Sequence, residues 1–320
     1  MAKHFDPLFS IVVASYNQES LIEQCLGSLL KQKYENIELI IADDCSTDRT
    51  VEVADSWLRK YRHRFFNTEI VVHDRNQGIS KNHSDGMIRT TGRFVKYIAG
   101  DDFLDSSAVE NFAEFLSNEK CDWGQAIVIP YYGVRRSVDS SEFLPMKNKR
   151  RYFDYDSKKQ FRLLSRGNFI CAPGVFFRRE ALEEVGFFDP EFRMYEDWHT
   201  WLKLALRGYA IRLLNKPLVY WRRHADSISY SAFRRGNKAY FASDLQVLNK
   251  YIFPNTEKLD FITRAHIRNQ AEYLSNLIDN GATHEAHLQS RSIRLKDPLW
   301  WLELPDYIRN KIRNRFRHVS

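Results

Sequence analysis

Asp101 and Asp102 stand side by side after Gly100, directly behind the short run Phe94 to Ile98. That run suits a buried strand, and the glycine breaks it. Two adjacent carboxylates at a strand end repel each other by about 1 kcal/mol or more unless a cation sits with them. A hard divalent ion such as Mg2+ or Mn2+ takes oxygen ligands, bridges to substrate phosphates and relieves the repulsion. For the pair alone a solvated Gly-Asp turn is the simpler account. The elements around it decide between the two.

Those elements alternate. Phe9 to Asn17 reads as a strand ending in Ser15-Tyr16-Asn17, and Ser20 as the N-cap of a helix carrying Leu21, Ile22, Cys25, Leu26, Leu29 and Leu30. Ile37 to Ala42 is a second strand, ending in Asp43-Asp44-Cys45-Ser46-Thr47-Asp48, with a helix over Thr50 to Tyr61. Glu69 to His73 is a third strand, turned by Asn76-Gln77-Gly78 into a helix near Lys81 to Arg89. This alternation predicts an α/β fold with a parallel sheet covered on both faces. Ligands bind such sheets beyond the carboxyl ends of the strands. Three of those ends carry polar clusters, and this convergence turns the acidic pair into a candidate site.

Further along, helices are expected over Ser106 to Ser117, Glu180 to Val185 and Trp198 to Leu206. Strands are expected at Asp122 to Ile129, Gly174 to Arg179, Ala210 to Leu214 and Leu218 to His224. The stretch Lys147 to Arg166 is rich in Lys and Arg with Tyr152, Phe153 and Tyr155 interleaved. It reads as a solvated face or as a contact for an anionic acceptor. Beyond Asp226 strand signals stop, and helices broken at Pro254 and at Asn280-Gly281 follow. The expected division is 1–225 for the catalytic domain, 226–297 for a helical appendage and 298–320 for a basic tail.

Composition sets the limits. The chain has 320 residues, 43% hydrophobic, and a formal charge of +7, enough for one large core with an appendage. Residues 1–224 hold 33 Lys and Arg against 31 Asp and Glu, whereas residues 225–320 hold 15 against 10. The positive excess therefore lies toward the C-terminus. Four widely spaced cysteines without a C-x-x-C pair read as reduced thiols of a cytosolic protein. No signal-peptide pattern and no run of 18 apolar residues occurs. The expected location is cytoplasmic, or peripheral on the inner face of the cell membrane. No nucleic-acid partner is implied, and an oligomer is compatible with everything above.

Six motifs in order resemble a family-2 glycosyltransferase of the GT-A fold. They are Ser15-Tyr16-Asn17 after the first strand, Ala42 to Asp48, Asn76-Gln77-Gly78 with Lys81-Asn82, Gly100-Asp101-Asp102, Glu196-Asp197-Trp198, and Tyr220-Trp221-Arg222-Arg223-His224. The resemblance covers roughly residues 8–224 and implies a Rossmann-like, mostly parallel sheet flanked by helices. It departs in two places: Ala99 stands where the metal motif usually begins with Asp, and Lys81 where Arg is commoner. By resemblance, Ala14, Ser15, Tyr16, Asp44 and Asn76 would hold the nucleotide, with Asp44 accepting from a uracil N–H. Lys81 would meet the diphosphate as a point charge. Asp101 would hold the sugar, and Asp102 with His224 the Mg2+ or Mn2+, although a lone histidine is as readily structural. Asp197 would be the general base, its proton affinity raised by Glu196.

The resemblance thus implies single-displacement, inverting transfer from a UDP-sugar to a hydroxyl of a glycan or lipid-linked glycan, as in bacterial surface polysaccharide synthesis. Two rivals are nucleotidyl transfer, which lacks a Gly-rich phosphate loop after the first strand, and a catalytically inactive membrane-bound scaffold, to which the lost first Asp lends some support. In the tail, Trp300, Trp301, Leu304, Ile308, Ile312, Phe316 and Val319 recur at helical spacing among Arg309, Lys311, Arg313, Arg315 and Arg317. That pattern suits a helix on an anionic membrane surface, or equally one docked on the appendage or on a second subunit.

Overall fold

The computed structural model describes residues 6–118, 121–133, 140–193, 195–223 and 238–280, together with Asp297 and Leu299. The chain divides into two units, Met1–Leu164 with Asn168–Tyr230, and Ser165–Gly167 with Ser231–Ser320. The expected tail, 298–320, lies outside the described residues apart from Leu299.

The first unit is built on one sheet. Its strands among the described residues are β1 (Phe9–Ser15), β2 (Ile37–Asp43), β3 (Asn67–Val72), β4 (Phe94–Ala99), β5 (Phe103–Leu104), β6 (Trp123–Tyr131), β7 (Val175–Arg178) and β8 (Arg212–Arg222). They lie in the order β3-β2-β1-β4-β7-β6-β8-β5. β3, β2, β1 and β4 are parallel, as the alternation predicts. β7 then runs antiparallel to both β4 and β6, while β8 returns parallel to β6. The sheet is therefore mixed, not wholly parallel. The two strands expected at 210–214 and 218–224 are one, β8, with irregular pairing beside Ile127. The two-residue β5, pairing with β8, is too short to leave a periodicity in the sequence.

The flanking helices are α1 (Ile22–Leu30), α2 (Thr50–Tyr61), α3 (Ile79–Ile88), α4 (Ala108–Asn118), α5 (Ser157–Leu164), α6 (Arg179–Glu184) and α7 (Trp198–Leu206). Every residue of β1 and β2 is buried, which is why these strands read as largely apolar runs, with Ser10 donating to Glu38 between them at 2.5 Å. Ser20 does not cap α1. Leu21 stands at the N-cap without a side-chain bond, and the Gln18 carbonyl accepts from the amides of Leu21 and Ile22 instead. All four cysteines are free thiols.

In the second unit α8 (Lys238–Val247) passes through wider and tighter turns, with Pro254 at the start of the latter, before α9 (Phe261–Asp279). Asp260 caps α9 by accepting from the Thr263 amide at 2.8 Å. The breaks fall where Pro254 and Asn280 place them. No helix of the described residues is long and apolar enough to cross a membrane.

Packing of α3 on β1 and β2 requires a glycine. A Cβ on Gly86 would lie 2.5 Å from Val12 Cγ1 and 3.2 Å from Ala42 Cβ, both in central strands that cannot withdraw. Gly86→Val is expected to lower stability by about 1–3 kcal/mol, the usual scale of overpacking. The measurement is the denaturant midpoint at constant m value; an unshifted midpoint would show that the sheet yields there at no cost.

Candidate active site

The loops after β1 and β2 are laced together before any ligand is considered. Asp43, only 1% exposed, accepts from Ser15 Oγ at 2.8 Å, from Ser46 N at 2.7 Å and from Ser46 Oγ at 2.6 Å. Asn17 and Cys45 take positive φ values of 51° and 64°, the left-handed conformation that Asn tolerates better than most residues. Asn17 Oδ1 accepts from Thr47 N at 2.8 Å. Asn82, from α3, donates to the Ala42 carbonyl at 3.0 Å. Ala14 and Ser15 are buried at the strand end, while Tyr16 is 45% exposed there. Its ring is available to stack on a flat ligand.

Asp44 is buried and doubly held. Its oxygens accept from Gln77 N at 2.7 Å and Gly78 N at 2.8 Å. Each retains a further lone pair for a ligand N–H. Gly78 is at φ 94°, and a Cβ there would lie 2.9 Å from the Arg193 carbonyl oxygen, so the turn excludes side chains. Arg193 in turn donates to the Asn76 carbonyl at 3.1 Å. Lys81 is ion-paired with Asp85 one turn on. Asn76 and Lys81 nonetheless line a common cavity of about 440 Å3 with Arg75, Gln77, Pro190, Glu191 and Arg193.

The acidic turn is tied to both its neighbours. Gly100 N donates to the Ala14 carbonyl and Asp102 N to that of Ala99. From β8, the Arg222 amide donates to Asp102 Oδ1 at 2.8 Å and its Nε to the Asp101 carbonyl at 2.9 Å. The Arg222 guanidinium also bonds Gln24 Oε1 and lies 5.0 Å from the Tyr131 ring centroid. Asp102 is 2% exposed. Burial, and then the charge of Asp101, hold its carboxyl well above the usual carboxylate range, against the pull of Arg222 and Lys96. Lys96 is wholly buried in β4 and donates to the carbonyls of Tyr97, Pro173 and Val175. Burial lowers its ammonium to about 7, which Asp102 opposes.

This donor set suits a divalent cation. Mg2+ is commonly bound by one or two carboxylates with substrate phosphates and water completing the shell, and a buried carboxyl destabilised by a neighbouring acid is relieved by positive charge. No group of three or more acid, His or Cys ligands occurs among the described residues. His224 lies outside them.

Asp197 caps α7. Its Oδ1 accepts from Trp198 N at 2.7 Å and its Oδ2 from Asn168 Nδ2 at 2.7 Å. Burial, then the adjacent Glu196, push its carboxyl up to about 7. Burial likewise raises Glu196. The Cys171 thiol is raised by burial and by the charges of both Asp102 and Asp197, so the acidic turn and the α7 cap flank one cysteine. The fold thus assembles Ala14, Ser15, Tyr16 and Asp44 at one set of strand ends, and Asp101, Asp102 and Asp197 around another. Sequence reasoning gave no role to Arg222, Lys96 or Asn168. A lysine inside the apolar run Phe94 to Ile98 was a signal that could have been read; Asn168 left none.

A sequence profile of glycosyl transferase family 2 matches residues 10–186. The uncharacterized glycosyltransferase EpsJ of Bacillus subtilis is 26% identical over 228 residues, which cover 70% of this chain and 63% of EpsJ, so the chain spans less than two thirds of that relative. The poly(ribitol-phosphate) beta-N-acetylglucosaminyltransferase TarS of Staphylococcus aureus is 26% identical over 218 residues, covering 67% of this chain and 35% of TarS. The crystal structure of TarS residues 1–349 with UDP-GlcNAc superposes with a TM-score of 0.62 at 20% identity, over 91% of this chain and 82% of that one. The mannosyltransferase PcManGT of Pyrobaculum calidifontis, solved with GDP-Man and Mn2+, gives 0.57 at 17% identity, over 91% and 75%. With a GT-A sheet, polar loops at its carboxyl ends and a profile match across more than half its length, the chain belongs to glycosyl transferase family 2.

Proposed function

We propose that the protein transfers a sugar with inversion from a UDP-sugar to a hydroxyl of an acceptor glycan or lipid-linked glycan, with Asp197 as general base. The observation that carries this reading is the Asp197 carboxyl. It is half-buried at the start of α7, held by two donors, and raised to about 7, where a base is most effective near neutral pH. In a single displacement Asp197 takes the acceptor hydroxyl proton while that oxygen attacks the anomeric carbon and the nucleoside diphosphate departs from the opposite face.

The nucleotide end follows from the strand termini. Tyr16 stacks on the base, Asp44 accepts from a ring N–H, and the buried Ala14 and Ser15 let the base lie close to the sheet. The UDP-sugar bound by TarS supports this donor class. Lys81 is paired with Asp85 and keeps further N–H donors for a diphosphate; Arg75 and Arg193 offer further cations at the same cavity. A divalent cation held by Asp101, Asp102 and the donor phosphates would neutralise charge on the leaving group, and the Mn2+ in PcManGT supports such a site.

The acceptor reading rests on the residues around α5. Lys147, Arg151, Lys158 and Lys159 are exposed, and among the described residues none of them pairs with an acid. The end of α5 meets the start of α7, where the Leu164 carbonyl accepts from Trp198 Nε1 at 2.8 Å. A basic face leading to the base suits an acceptor that carries negative charge.

The test is a panel of nucleotide sugars, assayed for thermal stabilisation and for release of UDP with and without acceptor. Asp197→Asn is expected to cut turnover roughly a hundredfold or more while UDP affinity by calorimetry stays near that of the wild type. The ionised carboxylate is the active form, so wild-type kcat/KM should fall as pH drops below about 7, approaching tenfold per unit. Donor binding that collapses with the rate would make Asp197 a structural residue. Asp102→Asn replaces a carboxylate that balances metal charge by a neutral amide. It is expected to abolish turnover and weaken UDP binding in the presence of Mn2+, with little effect in its absence; equal UDP affinity with and without Mn2+ in the wild type would refute the metal assignment.

A further inference from the structure

We propose that Asn168 is the positioning residue of the general base, fixing the plane in which the Asp197 carboxylate meets the acceptor hydroxyl; this rests on Asp197 being the base. Asn168 Nδ2 donates to Asp197 Oδ2 at 2.7 Å. The amide cannot be the other way round, because its Oδ1 accepts from the Ile170 amide at 3.1 Å, which fixes oxygen and nitrogen by their partners. Asp197 Oδ1 is held by Trp198 N. Each carboxylate oxygen therefore has one protein donor and one lone pair to spare, and rotation about the Cβ–Cγ bond would break both bonds.

What makes Asn168 a fixed point is the segment that carries it. Cys171 N donates to Gln125 Oε1 of β6 at 2.9 Å. The buried Lys96 of β4 grips the carbonyls of Pro173 at 2.6 Å and Val175 at 3.1 Å. Gly174 lies so close to β6 that a Cβ would come within 2.7 Å of the Ala126 carbonyl oxygen. The segment is thus pinned to two strands of the sheet, independently of α7. Trp198 Nε1, bonded to the Leu164 carbonyl, holds the start of α7 from the other side.

The bond also has an electrostatic consequence. Among the described residues, the titratable groups that interact electrostatically with Asp197 are Glu196 on its own turn, Tyr97 on β4 and Cys171 on the pinned segment, and none of these three is a cation. Asn168 and the α7 amide supply the donors that favour the ionised carboxylate against burial and Glu196.

The experiment measures kcat/KM against pH for the full-length protein and for Asn168→Ala and Asn168→Asp, with UDP affinity and melting temperature recorded for each. Loss of one charge-assisted donor should move the acid limb of Asn168→Ala upward by roughly half to one pH unit. Asn168→Asp keeps the shape and the acceptor for Ile170 N but sets a carboxylate against a carboxylate, and should move the limb further. UDP affinity should stay within about twofold of wild type in both, since neither touches the nucleotide end. An acid limb that stays in place, with turnover falling only in step with melting temperature, overturns the proposal. Should Asn168→Ala not fold, the isosteric Asn168→Asp decides by the same criterion. If Asp197→Asn retains wild-type turnover, the base reading itself falls; if it is slow and the Asn168 limbs do not move, only the positioning role falls.

Discussion

A carboxylate taken out of water at the end of a strand needs donors, and in this fold the bonds from Arg222 to the acidic turn tie β8 to the end of β4. The Arg222 amide and Nε reach the acidic turn from β8, a strand that is not a neighbour of β4 in the sheet. Around that link Phe103 stacks on Tyr220 at 4.7 Å, and β5 pairs with β8 for two residues. On the inner side, Gly100 presses so close to Gln18 that a Cβ would meet Gln18 Oε1. The turn is therefore set from β8, from the β1 loop and from its own strand.

The carboxylates of the unit fall into two groups by how they are satisfied. Asp43 and Asp44 are buried but held, Asp43 by hydroxyl and amide donors and Asp44 by two amides, and they act as ties between loops. Asp102, Glu196 and Asp197 are raised chiefly by burial, with too few donors or cations to offset it. Groups perturbed in this way concentrate where chemistry is done. The arrangement costs stability. An unfolded carboxylate titrates near 3.9, and Asp197 near 7 in the fold. Between those values the folded state binds more protons than the unfolded one, so this group weakens the fold as pH rises through the window. It becomes a competent base over the same interval in which it becomes a liability.

The parallel half of the sheet was legible because burial on both faces writes mostly apolar runs, as in Leu39 to Ala42. α2 and α7 begin and end where the sequence places them, at Thr50–Tyr61 and Trp198–Leu206. The antiparallel insertion of β7 was not legible, since four residues of Val-Phe-Phe-Arg look the same in either direction. The cap of α1 was misread because Ser20 has the right chemistry, yet the Gln18 carbonyl occupies the amides it would have served. The motif residues at strand ends were visible as polar clusters. The groups that hold them were not: Arg222 and Asn168 act from positions 120 and 29 residues away from their carboxylates, and nothing local announces such a partner.

Ala99, two residues before Asp101, puts no acid at a place where the fold has few cations to offset one. Ala99 follows the core residue Ile98 and so shares a sheet face with Tyr97, whose phenol already feels the charges of Glu196 and Asp197. Its carbonyl serves as acceptor for the Asp102 amide and for the Cys25 thiol. Two cations, Arg222 and Lys96, lie close enough to Asp102 to lower its proton affinity, and they do not suffice for the acids already present. A further carboxylate at 99 would deepen that deficit on the face that carries the base. With alanine there, the site keeps Asp101, Asp102 and Asp197, the carboxylates on which sugar transfer is proposed to depend, without a further acid beside them.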